Sequence, residues 1–210
     1  LNKAKFDNTS KKEKLLVIGD SQAGDVINML KESGMLEKYD TVSRIVNSRC
    51  ATPFVDINQT ETYLTKLNPI TMRDPSLIAQ CKTHFSKVLE DNLIESADKV
   101  FVVFYWRRFA EKYYMQSINE IAKRTKGSVY VFGMKNLSSD STFIATKFGK
   151  TAGLETFASK FVEGESRVIN EHMKKIQGTK FVDLMSITCK SKDSCIVLDE
   201  SGNPIFSDRN

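Results

Sequence analysis

Short apolar runs alternate along this chain with longer stretches of helical periodicity, and that alternation restricts it to folds in which helices cover a parallel sheet. Runs at residues 14–19, 41–46, 99–105, 128–133 and 180–184 are rich in Val, Ile and Phe and end in turn residues, as strands do. The third runs through VFVVFYW, which leaves no polar position to face water and so calls for cover on both sides. Helices are expected over 22–32, 75–96, 108–126 and 155–177. In the second of these, Ile78, Cys81, Phe85, Val88 and Leu89 recur at spacings of three and four, and Phe157, Phe161, Val162, Ile169, Met173 and Ile176 do the same in the fourth. The expectation is an α/β fold: a three-layer α/β/α sandwich with right-handed crossovers and a mostly parallel five-stranded sheet. Residues 15–210 would form it, behind a polar linker at 1–14. Residues 50–74 show little periodicity and read as an excursion over the carboxyl edge of the sheet.

Charge and length exclude several classes. The 210 residues carry 31 basic and 26 acidic side chains. The lysine clusters at Lys11, Lys12 and Lys14 and at Lys174 and Lys175 lack the interleaved aromatics of a nucleic-acid groove, and read as solvated faces. No stretch approaches the roughly 20 apolar residues of a membrane span, and no signal-peptide pattern opens the sequence. Leu1 stands where a methionine would begin a gene product, which points to a piece of something longer or processed. Four cysteines, Cys50, Cys81, Cys189 and Cys195, form an even set. Cys189 and Cys195 bracket a short polar loop that can close as a small disulfide ring, whereas zinc would prefer tighter pairs with histidines nearby. An oxidising compartment is favoured over four unrelated thiols, and no metal or cofactor is called for.

Functional groups in doubly wound sheets collect beyond the carboxyl ends of the strands, above all after the first. There the sequence reads LLVIGDSQAGD, and Ser21 falls on the turn. Gly19 permits a tight turn, and Ser21 opens the following helix, where unpaired amides and the helix dipole favour a developing negative charge. A nucleophile whose intermediate carries an oxyanion needs such a place. A plain helix cap is the competing reading, and the turn alone does not separate the two. A phosphate loop fits less well, since the multiple glycines and the lysine are missing.

With Ser21 so placed, the sequence resembles the SGNH (GDSL-like) hydrolase superfamily, whose first block is this Gly-Asp-Ser turn. IGDSQAGDVINML looks like the nucleophile block of SGNH domains fused to bacterial acyltransferase-3 membrane proteins, which O-acetylate surface polysaccharides. That branch also has a cysteine closely followed by proline after the second strand, as in Cys50 and Pro53, and a tryptophan ending the third, as Trp106 does. The fourth strand runs into a loop, as in VYVFGMKN. Its C-terminal pattern is a paired-cysteine segment, a short hairpin and Asp-x-x-His, and the corresponding region is CKSKDSCIVLDESGNPIFSDRN. The resemblance puts the acid on Asp208 and the histidine at the position following Asn210. His84 and His172 lie mid-helix, away from strand ends, and read as packed or half-exposed helix residues.

For the oxyanion hole the superfamily uses a glycine amide after the second strand and an asparagine side chain after the third. This sequence has Asn47-Ser48-Arg49 and Trp106-Arg107-Arg108 there, so the amide of Ser48 and the guanidinium of Arg107 or Arg108 would take those places beside the amide of Ser21, a surface or ion-pairing role being the other reading of such an arginine. Trp106 would line an acyl or sugar pocket or serve as ordinary core. The resemblance thus implies a serine-dependent O-acyltransferase or esterase: a periplasmic domain of a membrane-anchored polysaccharide O-acetyltransferase of the lipopolysaccharide O-antigen type. It would be tethered to the inner membrane, take acetyl from a fused or associated membrane acyltransferase domain, and pass it to a glycan acceptor. A stand-alone carbohydrate acetylesterase uses the same residues with water as acceptor, and a non-catalytic glycan-binding module is the third reading.

Overall fold

The computed structural model describes residues 3–135, 141–149, 151–162 and 164–205. Five strands, β1 (Glu13–Gly19), β2 (Tyr39–Ile45), β3 (Lys99–Val103), β4 (Ser128–Phe132) and β5 (Thr179–Val182), form one parallel sheet in the order β2-β1-β3-β4-β5. The fold is the three-layer α/β/α sandwich expected from the alternation. Leu15, Leu16, Val17 and Ile18 of the central β1 are all fully buried, so both faces of this strand are covered. In register, Gly19 lies level with Ile45 of β2 and Val103 of β3, so three strands end together at one rim.

The chain divides into two compact units: Leu1–Phe132 with Met173–Phe181, and Gly133–His172 with Val182–Asn210. In the first, α1 (Ser21–Glu32), α4 (Leu77–Leu89) and α6 (Glu111–Arg124) follow or precede strands as the periodicity requires. Each buries one stripe: Val26 and Leu30; Cys81, Phe85 and Val88; Tyr114, Ile118 and Ile121. The polar leader is docked: Phe6 is buried, Lys3 pairs with buried Asp40 of β2, and the amide of Asp7 donates to the same carboxylate at 2.7 Å.

Two expected helices are each broken in two. The helix read over 75–96 ends at Leu89 and resumes as α5 (Leu93–Ser96), because Asp91 and Asn92 sit in left-handed conformations at φ 61° and 52°. Asp and Asn are the non-glycine residues that tolerate this region best. The helix read over 155–177 is α8 (Leu154–Ser159) and α9 (Gly164–Met173). A glycine starts the second piece, in keeping with its poor standing in helix interiors. The 50–74 excursion contains two short helices without a long apolar stripe, α2 (Ile57–Thr62) and α3 (Pro69–Arg73), joined through a π-turn. Their caps create them: Asp56 accepts from the amide of Asn58, and Asn68 accepts from Ile70 and Thr71 ahead of a proline in the first turn. A disulfide between Cys50 and Cys81 ties the excursion to α4.

The second unit contains α7 (Ser141–Phe148), α8, α9 and α10 (Leu184–Thr188). Its core gathers Ile144, Leu154, Ala158, Met185 and Val197 around the Cys189–Cys195 disulfide. That disulfide closes a small antiparallel ribbon of β6 (Cys189–Ser191) and β7 (Ser194–Cys195), the ring expected from the spacing. A tight turn at 199–203 follows, with the Asp199 carboxylate accepting from the amides of Ser201 and Asn203.

Candidate active site

Gly19 is fixed between its neighbours: its carbonyl accepts from the amide of Val46 at 2.8 Å, and a Cβ built on it would stand 2.0 Å from the Val103 carbonyl oxygen. Only glycine lets β1 pass so close to β3 and turn at once into α1. Asp20 caps that helix. One carboxylate oxygen accepts from the amide of Gln22 at 3.0 Å and the other from the amide of Tyr105 at 2.9 Å, while its own amide donates to Val103 at 3.2 Å. Asp20 is 1% exposed. Burial pushes its carboxyl above the ordinary range, against the opposing pull of the Tyr105 and Gln22 amides and the Arg107 charge. One buried side chain thus binds the ends of β1 and β3 and the first turn of α1 together.

Ser21 is the first residue of α1 and is exposed. The capping reading is excluded by the adjacent Asp20, which fills that role itself. Among the described residues the Ser21 hydroxyl has no hydrogen-bond partner, and neither does its amide. The amide of Gln22 is capped by Asp20 and that of Ala23 donates to the Asp20 carbonyl at 3.0 Å. Among the described residues Ser21 therefore keeps the orphan donor of the turn, beside its own hydroxyl oxygen.

The neighbouring strand ends complete the rim. After β2, Asn47 caps a single helical turn, Ser48–Cys50, by accepting from the amide of Arg49 at 3.0 Å. Ser48 is half-buried, and its amide too has no partner among the described residues. Ser48 stands two residues past Val46, whose amide bonds Gly19, and Ser21 stands two residues past Gly19. After β3, the Arg107 guanidinium lies 4.0 Å above the Tyr105 ring, and its Nε is buried without a partner among the described residues. Its charge reaches Asp20. The structure thus brings Ser21, Ser48 and Arg107 to adjacent strand ends of one sheet. Trp106 instead lies in the core, 1% exposed. Its indole N–H donates to the Phe132 carbonyl at 2.8 Å, and its ring packs on Phe104 and Tyr114. Of its two sequence readings, this geometry is that of packing.

Asp208 lies outside the described residues. His84 on α4 is half-buried beside Arg44 and Lys87, and His172 is half-buried on α9. Among the described residues no cluster of His, Cys, Asp or Glu could hold a metal ion, and no helix is long and apolar enough to cross a membrane. Sequence reasoning missed Asp20 and Tyr105. Asp20 carried a signal, an N-cap residue one position before the helix, but the Tyr105 amide has no sequence mark, because a backbone donor is available at any residue but proline.

Among the described residues the arrangement offers a hydroxyl without a partner at a helix start, two unengaged amides and a guanidinium, which together suit attack on an ester carbonyl with stabilisation of the oxyanion formed. A family model described as the SGNH domain (fused to AT3 domains) matches residues 2–210. No curated protein matches the chain.

Proposed function

The chain belongs to the SGNH domain family fused to AT3 domains, and from that premise we propose that it transfers acetyl groups to a glycan hydroxyl through a serine acyl-enzyme. Membership makes it an SGNH hydrolase/acyltransferase domain. The finer reading rests on one observation: among the described residues the Ser21 hydroxyl and amide stand unengaged at the start of α1, with the turn held by Asp20 rather than by the serine.

On this reading Ser21 Oγ attacks the acetyl carbonyl of the donor and its proton passes to an imidazole. On the same reading Asp208 is the orienting carboxylate, and the imidazole belongs to a histidine at the position following Asn210. The tetrahedral oxyanion takes hydrogen bonds from the amides of Ser21 and Ser48, and Arg107 adds positive charge on the same side. Collapse expels the donor's leaving group, which recovers the proton, and leaves acetyl-Ser21. The acceptor hydroxyl then attacks, regenerating the serine. Arg107 has a second task, since it offsets the negative field that an ionised Asp20 would exert on a neighbouring oxyanion. On this reading the acetyl donor is a membrane acyltransferase of the AT3 kind to which members of the family are fused, the reaction runs on the periplasmic side, and the acceptors are of the lipopolysaccharide O-antigen type.

The test is Ser21→Ala. Wild type is expected to hydrolyse p-nitrophenyl acetate and to be labelled by a fluorophosphonate, and the variant to lose both with an unchanged unfolding midpoint, because the side chain is exposed. Turnover or labelling retained by the variant would refute the serine reading.

A further inference from the structure

A cleft of about 530 Å³ opens in the first unit between α2 and α6, and none of its lining residues belongs to the Ser21 rim. Phe54, Val55 and Tyr113, all buried, form its floor. Ile57 stands at its lip and is 83% exposed, the most exposed large apolar side chain among the described residues. One wall is the outer face of α6, where Gln116, Asn119, Glu120 and Lys123 follow at helical spacing and are exposed. Gln59 faces them from α2. None of these polar side chains makes a hydrogen bond to another described residue, so their donors and acceptors are available to a ligand.

The chemistry of the lining selects the ligand. Its charges are few and nearly balanced: Asp56 and Glu120 stand with Lys123, while Arg124 is engaged by Glu95 at 2.6 Å. The excess of one acidic charge repels an anion, and the exposure of these groups to solvent leaves little field to hold a cation. Planar amides and a carboxylate can each bridge neighbouring hydroxyls, while the apolar floor and Ile57 accept C–H faces. Hydroxyl-rich rings with apolar faces meet both demands. From Tyr113 to Lys123 the wall runs roughly 15 Å at the helical rise, enough for an oligosaccharide of a few rings. Because α6 starts just past the end of β3 and β4 starts just past the end of α6, this wall leads away from the rim toward the opposite edge of the sheet.

We propose that the α2–α6 cleft is an accessory subsite for an uncharged stretch of polysaccharide, which holds the acceptor chain while another of its hydroxyls is acylated. The choice of an acceptor rests on the acyl-transfer reading, whereas the carbohydrate chemistry rests on the cleft alone. The experiment uses the source organism's surface polysaccharide, de-O-acetylated with mild alkali, titrated into the isotope-labelled chain and followed by amide chemical shifts. Wild type is expected to bind, with shifts on α2 and α6. The double variant Gln116→Ala/Asn119→Ala is expected to bind roughly tenfold or more weakly while hydrolysing p-nitrophenyl acetate at the wild-type rate. Absence of wild-type binding, or binding by the double variant equal to wild type, overturns the subsite. Ser21→Ala separates the two readings: if it keeps ester turnover the acyl-enzyme falls, and the cleft still stands on its shifts.

Discussion

Adding a single methyl group at Gly19 tests whether the rim geometry is as tightly determined as described. In Gly19→Ala the new Cβ would lie 2.0 Å from the Val103 carbonyl oxygen and 2.6 Å from the Ala23 Cβ, against a floor of 3.0 Å that real Cβ atoms keep. Relief needs about 1 Å of retreat by backbone, since the nearest atom is not the end of a flexible side chain. That retreat pulls on the Asp20 amide, which donates to the same Val103 oxygen, and on the Val46 amide bonded to Gly19. Overpacking typically costs 1–3 kcal/mol, and a strained buried hydrogen bond adds to it, so the expected loss is about 3–5 kcal/mol. For a chain of this size that is a fall of roughly 10 °C in Tm. A displacement of about 1 Å at Ser21 should also cut ester turnover by roughly a hundredfold.

Gly24, five residues on in α1, is the internal control, because a Cβ there would meet nothing within 4 Å. Gly24→Ala should stabilise by about 0.5–1 kcal/mol through helix propensity alone. Trp106, the one tryptophan, is buried in the first unit, so urea unfolding followed by its fluorescence reads both variants in one assay. Equal midpoints for the two alanine variants, or near-wild-type turnover by Gly19→Ala, would refute the close-packed turn.

Three further outcomes are expected. Asp20→Asn offers one acceptor where two amides donate, and should cost about 1–3 kcal/mol at neutral pH. Because burial raises the folded pKa of Asp20, wild type loses that group's stability as pH rises from 3.8 through the folded value and regains it on acidification. Asparagine has no such dependence, so the gap in urea unfolding should widen as pH falls through that window, and a narrowing gap would contradict the sign. Cys50→Ala/Cys81→Ala opens a crosslink spanning 31 residues, worth about 3.7 kcal/mol in chain entropy, and the tryptophan unfolding midpoint should drop accordingly; an unmoved midpoint would remove that disulfide from the stability of the unit. Trp106→Phe leaves the Phe132 carbonyl without its indole donor and should cost about 2–4 kcal/mol by calorimetry, where a near-neutral result would favour a pocket role over packing.

The strands were legible because a central parallel strand is apolar on both faces, and Leu15 to Ile18 could hardly read as anything else. Helix breaks were not. Ile78 to Leu89 and the apolar residues near Leu93 share one periodicity, which carries no mark of the left-handed pair Asp91–Asn92 between them. The short helices at 57–62 and 69–73 owe their existence to caps, a local signal that periodicity overlooks. Trp106 ends a strand in the linear sequence whether it packs inward or lines a pocket, and only the hydrogen bond to Phe132 separates those outcomes.

By itself the sequence determined the alternation of strand and helix, the serine at the end of the first strand and the family to which the chain belongs, because these depend on period and motif, which are written along the chain. Tertiary structure alone decided what surrounds that serine. The carboxylate of Asp20 reaches Tyr105 across 85 positions, and the amides of Ser21 and Ser48 are left over among the described residues only because their neighbours' hydrogen bonds go elsewhere. Backbone donors are common to nearly every residue, so which of them stay unengaged is settled by packing rather than by residue type.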